Sequence, residues 1–408
     1  MAVYDLAIVG AGPAGLSTAK HAAKKGLKVA LIEKRNDISH MTRYCSEHII
    51  LDEEYNGDTI VVEPGEALGP DGFISPRSHN KIRSTRFGWE VNYVGQLCPV
   101  RDKHYYSANL DNFVHFAWPD KRPFAWKYNK GGLLSQLLAE VLGLGVDFMA
   151  ETTCYEAQDL PDKVILKCAS KGKKFRMEAK KLVAADGASS QVAQSLGMNE
   201  DRAYFASALT VAYYMSNVKD HSPYEWCGFW GQCYGSNFAP LMGTGPYDHY
   251  DWTQVLLIGH PKQLPRDTFG GNVLILGDAA AFIEVQMQGA ITCGLLAADA
   301  VAKELEGKPG FAEYTKTWLE IFEFNHEGML EVASGYAMVP YYTDEEISYL
   351  FSLTKGVSLE GNYNQYKSPR LIWAEIHKHD EQIQRERPEI WGKINRQQTK
   401  TLSDSMSD

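Results

Sequence analysis

Asp5–Lys34, DLAIVGAGPAGLSTAKHAAKKGLKVALIEK, is the stretch that decides how the 408-residue chain folds. Residues 4–10 are nearly all apolar, the pattern of a strand at the buried centre of a parallel sheet. Gly10, Gly12 and Gly15 follow with the spacing GxGxxG and open a helix that runs to Lys24 or Lys25, where Gly26 ends it. Leu27–Ile32 reads as a second strand, closed by Glu33, 18 residues after Gly15. Glycine here permits a tight turn and lets a pyrophosphate approach the helix N-terminus, where backbone N–H groups and the helix dipole favour an anion. Glu33 is placed to accept hydrogen bonds from an adenosine ribose. Strand, glycine turn, helix, strand and terminal acid predict a dinucleotide-binding unit, without separating NAD from FAD.

The bulk of the sequence narrows the partners. A net charge of -10 argues against nucleic acid or an anionic membrane surface. No run of eighteen apolar residues exists, so no transmembrane segment is expected. The opening MAVYDLAIVG has neither a basic region nor a cleavage site, so no signal peptide is expected either. Seven cysteines are scattered without a CxxC pair, which suits a reducing cytoplasm and gives no support to disulfides, zinc or an iron–sulfur cluster. The histidines form no HExxH pattern, and no metal site is expected.

Outward from the first motif, residues 52–128 lose periodicity and gather turn signals, as insertions that leave the nucleotide unit do. Gly131–Leu142 has a helical pattern, and VILKCA and KKFRMEA alternate around SKGK as a meander. KKLVAADGASS returns to a short apolar strand ending in Asp186-Gly187. Residues 205–258 are strand-like, poor in charge and rich in aromatics. NVLILGDAAAF, from Asn272, is another apolar strand, ending in Gly277-Asp278, with a helix to about Leu305. Asp278 can also serve as a cap of that helix.

The three motifs in this order resemble FAD-dependent oxidoreductases of the p-hydroxybenzoate-hydroxylase-like superfamily. Residues 33–48, EKRNDISHMTRYCSEH, are most similar to geranylgeranyl reductases and electron-transfer-flavoprotein dehydrogenases. The resemblance implies an α/β fold: a Rossmann-like FAD-binding domain, an inserted β-sheet substrate domain and a helical C-terminal region. We expect the FAD-binding domain over 1–70, 105–190 and 266–330 and the substrate sheet over 71–104 and 200–265. The C-terminal region is expected over 331–408, with a disordered tail. The implied cofactor-binding residues are Gly10, Gly12, Pro13, Ala14, Gly15, Glu33, Lys34, Arg35, Arg43, Lys130, Asp186, Gly187, Gly277, Asp278, Gly289 and Ala290. Asp278 would meet the ribityl chain, Arg43 the phosphates or ribityl, and Cys45 the isoalloxazine ring. Lys130 stands where these proteins usually carry an arginine, supplying charge without the guanidinium fork. After GDAA the text FIEVQMQGAI departs from the family: Val285 replaces a proline and Ala290 a glycine.

The implied activity is that of an oxidoreductase. The favoured reading is a reductase or dehydrogenase moving a hydride between flavin N5 and a C=C or C–C bond of a hydrophobic or aromatic small molecule, with an external electron donor or acceptor. The alternatives are an aromatic monooxygenase and, outside catalysis, a flavin-containing redox or assembly partner. Tyr213, Trp226, Trp230, Tyr234, Phe238 and Trp252 are candidates to line the substrate pocket. Cys45, His249 and Tyr250 are the candidate catalytic groups.

Overall fold

The computed structural model describes residues 4–40, 45–68, 72–198, 207–216, 218–219, 222, 224–234, 241–244, 250–258, 269–281, 284–329, 332, 338–339 and 341–399. Strand Tyr4–Val9 leads into helix Pro13–Lys24. Pro13 sits in the first turn, where its fixed φ suits the helix and its missing N–H costs nothing. Strand Val29–Ile32 is wholly buried, as its continuous apolar run requires.

These strands belong to an eight-stranded sheet. Its main path runs Asp147–Met149, Val29–Ile32, Tyr4–Val9, Lys173–Ala184, Val164–Ser170 and Thr152–Asp159; Val273–Ile275 joins Lys173–Ala184 and carries Phe269–Gly270. Parallel pairing aligns Val9 with Ile32 and Ala184, and Ala184 with Ile275. The ends of four parallel strands therefore bring Gly10, Glu33, Asp186 and Gly277 to one edge, where sheets of this kind bind ligands. The expected meander is present as the antiparallel ladder of 152–159, 164–170 and 173–179.

Helix Gln286–Leu305 crosses Pro13–Lys24 at very close range. A Cβ on Gly294 would lie 2.4 Å from the Ala14 carbonyl oxygen, and Ser17 Oγ donates to the Ile291 carbonyl at 2.7 Å. This contact locks the late motif onto the early one.

A seven-stranded sheet runs Ser207–Met215, Tyr250–Ile258, Leu241–Thr244, Glu225–Trp230, Asp102–Ser107, Phe113–Ala117, Ser358–Glu360. The expected allotment of 71–104 to this sheet needs correction. His79–Ser84 and Glu90–Val94 pair with Ile60–Glu63 in a separate three-stranded sheet. The large sheet instead takes Asp102–Ser107 and Phe113–Ala117, and it recruits Ser358–Glu360 from the C-terminal region. The reason is parallel pairing over long sequence separations, which leaves no local turn signal. Its fit is specific nonetheless: Gly228 lies opposite Tyr105, and a Cβ there would sit 2.7 Å from the tyrosine ring.

Helices Asp344–Ser352, Lys367–His377, Asp380–Glu386 and Pro388–Thr399 supply a second core with one face of this sheet, joining Val114, Phe116 and Trp230 to Ile347, Phe351 and Ile376. Thr343 and Glu346 form a capping box at the first of them. The TLSDSMSD tail lies outside the described residues.

Candidate active site

The three motif glycines have different reasons for being glycine. Gly10 has φ of +104° and a Cβ there would lie 2.3 Å from the Ala185 carbonyl oxygen. A Cβ on Gly15 would lie 1.9 Å from the Gly10 carbonyl oxygen. Both are demanded by the protein's own backbone. Gly12 is different: nothing stands within 4 Å of where its Cβ would be. Its smallness keeps open the space before the N-terminus of Pro13–Lys24, where an anion is favoured. Pro13 and Ala14 form the first turn beneath that space.

Glu33 is buried at the end of its strand. Oε2 accepts from Ala11 N at 2.8 Å and Arg35 Nη2 at 3.1 Å; Oε1 accepts from Arg35 N and Nε, each at 2.9 Å. Burial pushes the carboxyl up, but the Arg35 and Ala11 bonds outweigh it and hold the group below its ordinary range. With its acceptor positions taken, a ribose hydroxyl would replace one of the Arg35 side-chain bonds. Lys34 points into solvent.

Asp186 Oδ2 accepts from Gln191 N at 2.9 Å and Val192 N at 3.4 Å, whereas Oδ1 is buried without a hydrogen bond. Burial raises this carboxyl, against the bonds from Ser190 and the nearby amides. A buried acceptor without a donor costs about 1–3 kcal/mol, and cofactor hydroxyls are donors of the missing kind. Gly187 and Gly277 both take positive φ, +81° and +61°, which turns the chain sharply at the ends of their strands. Asp278 Oδ1 accepts from Val285 N at 3.0 Å, so it does fasten the start of the following helix. Gly289 needs a different explanation from the one the sequence suggests. A Cβ there would lie 2.9 Å from Phe322 Cε1, so packing dictates the glycine; Ala290 is buried beside it. The open space at Gly12 and the unpaired Asp186 oxygen, at one sheet edge, fit the pyrophosphate and hydroxyls of FAD.

Cys45 stands on a strained turn just ahead of strand His48–Ile50, whose Ile50 carbonyl accepts from Gln288 Nε2 of the late-motif helix at 3.4 Å. Glu47 has φ of +56°, an unfavourable conformation for a non-glycine residue, and is buried. Its N–H donates to Cys45 Sγ at 3.4 Å, its carbonyl accepts from Tyr128 N at 2.9 Å, and its Oε1 accepts from Lys130 N at 3.0 Å. Lys130, expected as a cofactor ligand, is thus tied to Glu47 through its backbone. Next to the turn, strands Cys98–Val100, Ala125–Lys127 and His48–Ile50 form a small sheet in which Lys127 lies directly between His48 and Cys98. Directly paired residues share a face, so imidazole, amine and thiol form one buried row. Burial pulls Lys127 down to about 8, against the opposing pull of Glu47, Cys98 and Cys45. Burial, then Lys127, hold His48 well below its usual range. Its ring stacks on Tyr363 at 4.6 Å, and Tyr363 OH lies 3.1 Å from Nδ1. None of Glu47, His48, Lys127 and Tyr363 was singled out from sequence. Their one signal is a charged residue inside the apolar run PFAWKY, which marks a buried amine.

The expected aromatic wall divides. Trp226 and Trp230 are buried on the sheet face shared with the C-terminal helices, Trp230 edge-on to Phe351 at 6.2 Å and Trp226 edge-on to Tyr363 at 5.5 Å. Equal parity along one strand sends both to the same face, so core packing explains Trp230, while Trp226 reaches the residue that stacks on His48. Tyr213 is exposed, and half-buried Tyr234 donates to the Ala108 carbonyl at 3.1 Å. Tyr250 and Trp252 lie on strand Tyr250–Ile258, opposite Met215 and Tyr213. Arg43, Phe238 and His249 lie outside the described residues.

Fold and site together define an FAD-dependent oxidoreductase. The chain belongs to the pyridine nucleotide-disulphide oxidoreductase family, whose model matches residues 4–222. It is similar to digeranylgeranylglycerophospholipid reductase 1 of Methanosphaera stadtmanae, 23% identical over 395 residues and covering 87% of this chain and 89% of the relative. It is similar also to the digeranylgeranylglycerophospholipid reductase of Methanococcus vannielii, 23% identical over 358 residues, with 78% and 81% covered. Among solved structures, a geranylgeranyl bacteriochlorophyll reductase-like protein from Thermoplasma acidophilum shares the fold: TM-score 0.64, 18% identity, 97% of this chain and 99% of that one covered. No helix among the described residues is long and apolar enough to cross a membrane.

Proposed function

We propose that the chain reduces C=C bonds in a polyprenyl hydrocarbon carried on a lipid, with Cys45 at the reacting face. The observation that carries this reading is the strained Glu47 turn, whose N–H holds the half-buried Cys45 thiol just ahead of strand His48–Ile50, itself tied to the late-motif helix by Gln288. The relatives named as digeranylgeranylglycerophospholipid reductases supply the substrate class. When bound, FAD supplies a hydride from N5. The chain's own contribution is a proton: saturating a C=C bond needs one proton for each hydride, and the Cys45 thiol is the group assigned to give it. Gly10, Gly12 and Gly15 seat the pyrophosphate, and Asp186 and Asp278 hold cofactor hydroxyls. The domain division proposed is functional: the eight-stranded sheet holds FAD, and the seven-stranded sheet with the C-terminal helices encloses the hydrocarbon. The seven free cysteines suit a cytoplasmic location.

The test is turnover of a geranylgeranyl phospholipid under anaerobic conditions with a chemical reductant as electron donor, followed by mass spectrometry. Gain of two hydrogens per double bond is expected. An oxygenated product formed only in air would replace this reading with the monooxygenase one.

A further inference from the structure

Cys154 and Cys168 stand directly opposite each other on neighbouring antiparallel strands of the eight-stranded sheet, Thr152–Asp159 and Val164–Ser170. We propose that they are a redox couple, two thiols that a hydroperoxide closes into a reversible cross-strand disulfide. The inference does not depend on the reductase reading above.

Three observations carry it. The first is spacing. Directly opposed residues of an antiparallel pair have Cα atoms about 4.5 or 5.5 Å apart, and a disulfide accepts about 4.4–6.8 Å. Direct pairing also sends both side chains to one face, and both thiols are buried in the same core cluster. A thiol buried as apolar filler needs no thiol opposite it. The second is slack in the backbone. The register shifts between Cys154 and Glu156, and such a bulge bends and twists its strand, which lets the pair adjust to the torsion of a disulfide. The third is access. Thr152–Asp159 is the last strand on the main path of the sheet, and its ladder ends just beyond the thiols, at Thr152 and Ser170. Local opening at such an edge costs less than global unfolding and admits a small oxidant.

The same strand is braced against the proposed cofactor cradle. The Ala157 N–H donates to Ser195 Oγ at 3.0 Å, and Gln191 N, at the start of helix Gln191–Ser195, donates to Asp186 Oδ2 at 2.9 Å.

The chemistry balances. The hydrogen bond with Cys154 holds the Cys168 thiol below its ordinary range, against burial, and together with burial pushes Cys154 above it. Cys168 therefore reacts first, as the thiolate. Its sulfur attacks one oxygen of hydrogen peroxide, the O–O bond breaks, the leaving hydroxide takes a proton as water, and Cys168 becomes a sulfenic acid. The Cys154 sulfur then attacks the Cys168 sulfur, the S–O bond breaks and a second water leaves. Two thiols lose two electrons and two protons, and the peroxide gains both.

The experiment treats the FAD-loaded protein with hydrogen peroxide, quenches with catalase, alkylates the remaining thiols after unfolding, and reads tryptic peptides by mass spectrometry. Cys154 is the sole cysteine of peptide 131–163 and Cys168 that of peptide 168–171, so their bridge has its own mass. The linked peptide is expected about tenfold above its yield from the urea-unfolded chain, because the fold holds the thiols together, and it is expected to vanish on adding dithiothreitol. A yield no higher than from the unfolded chain, with both thiols alkylated or each oxidised separately, would overturn the assignment. In Cys154→Ala the resolving thiol is gone, and Cys168 is expected to pass on to the sulfinic acid. An untouched Cys168 in that variant, folded and loaded, would equally overturn it; if the variant does not fold, the wild-type peptides decide.

Discussion

A valine at position 12 would project into the open space before the first helix, whereas one at position 15 would collide with the Gly10 carbonyl. Gly12→Val is therefore expected to fold, with a wild-type circular dichroism spectrum, and to purify without flavin. Gly15→Val is expected not to fold. Full flavin content in Gly12→Val would show that the space is not the pyrophosphate site. Asp278 separates two roles in the same way. Asparagine can still accept from Val285 N and so keeps the helix start, but it loses the charge that strengthens bonds to hydroxyls. Asp278→Ala is expected to weaken FAD by roughly ten- to hundredfold, from the loss of about 1.5–3 kcal/mol. Asp278→Asn should fall between alanine and wild type. Equal affinity in all three, measured by flavin fluorescence titration, would reduce Asp278 to a cap.

At the scale of elements, the parts legible in sequence are those with strong local periodicity. The helix Pro13–Lys24, the buried strand Tyr4–Val9 and the meander 152–179 are written in consecutive residues. The pairing of Asp102–Ser107 with Glu225–Trp230, and the addition of Ser358–Glu360, are not, because the partners are distant and nothing local selects one strand over another. The same limit hid the row of Cys98, Lys127 and His48, which exists only once three separated segments pair. Gly294 shows the reverse case. It reads as an ordinary small residue in a helix, yet it permits two helices to touch. Gly294→Val is expected to destabilise by about 1–3 kcal/mol or more, since the obstructing atoms are backbone. It should also lower flavin content, because the crossing aligns the late motif with the early one. A melting temperature equal to wild type would contradict this.

Over the whole molecule, Tyr363 joins the parts. Its N–H donates to Asp52 Oδ2 at 2.8 Å, its ring stacks on His48, and Trp226 of the large sheet meets its edge. Lys103, buried in the same sheet, donates to Ser368 Oγ at 2.6 Å from beneath. Burial pushes Asp52 and Lys103 each toward its neutral form, while their mutual attraction opposes this. The C-terminal region is thus packed against both the small sheet that carries His48 and the large sheet. Among the described residues, the proposed cofactor cradle rests on the part most readable in sequence, because glycine spacing and strand-end acids are local. The proposed reacting face was not so readable, since the cluster around His48 and Lys127 is assembled from residues 45–52, 98–127, 226 and 363.

The most direct measurement is anaerobic rapid mixing of the reduced, FAD-loaded protein with a geranylgeranyl phospholipid, following flavin absorbance. The expected result is oxidation of the flavin by the lipid in the absence of oxygen, with the saturated lipid as product. A flavin that stays reduced with lipid and is oxidised only on admitting air, with no saturated lipid formed, would contradict the account.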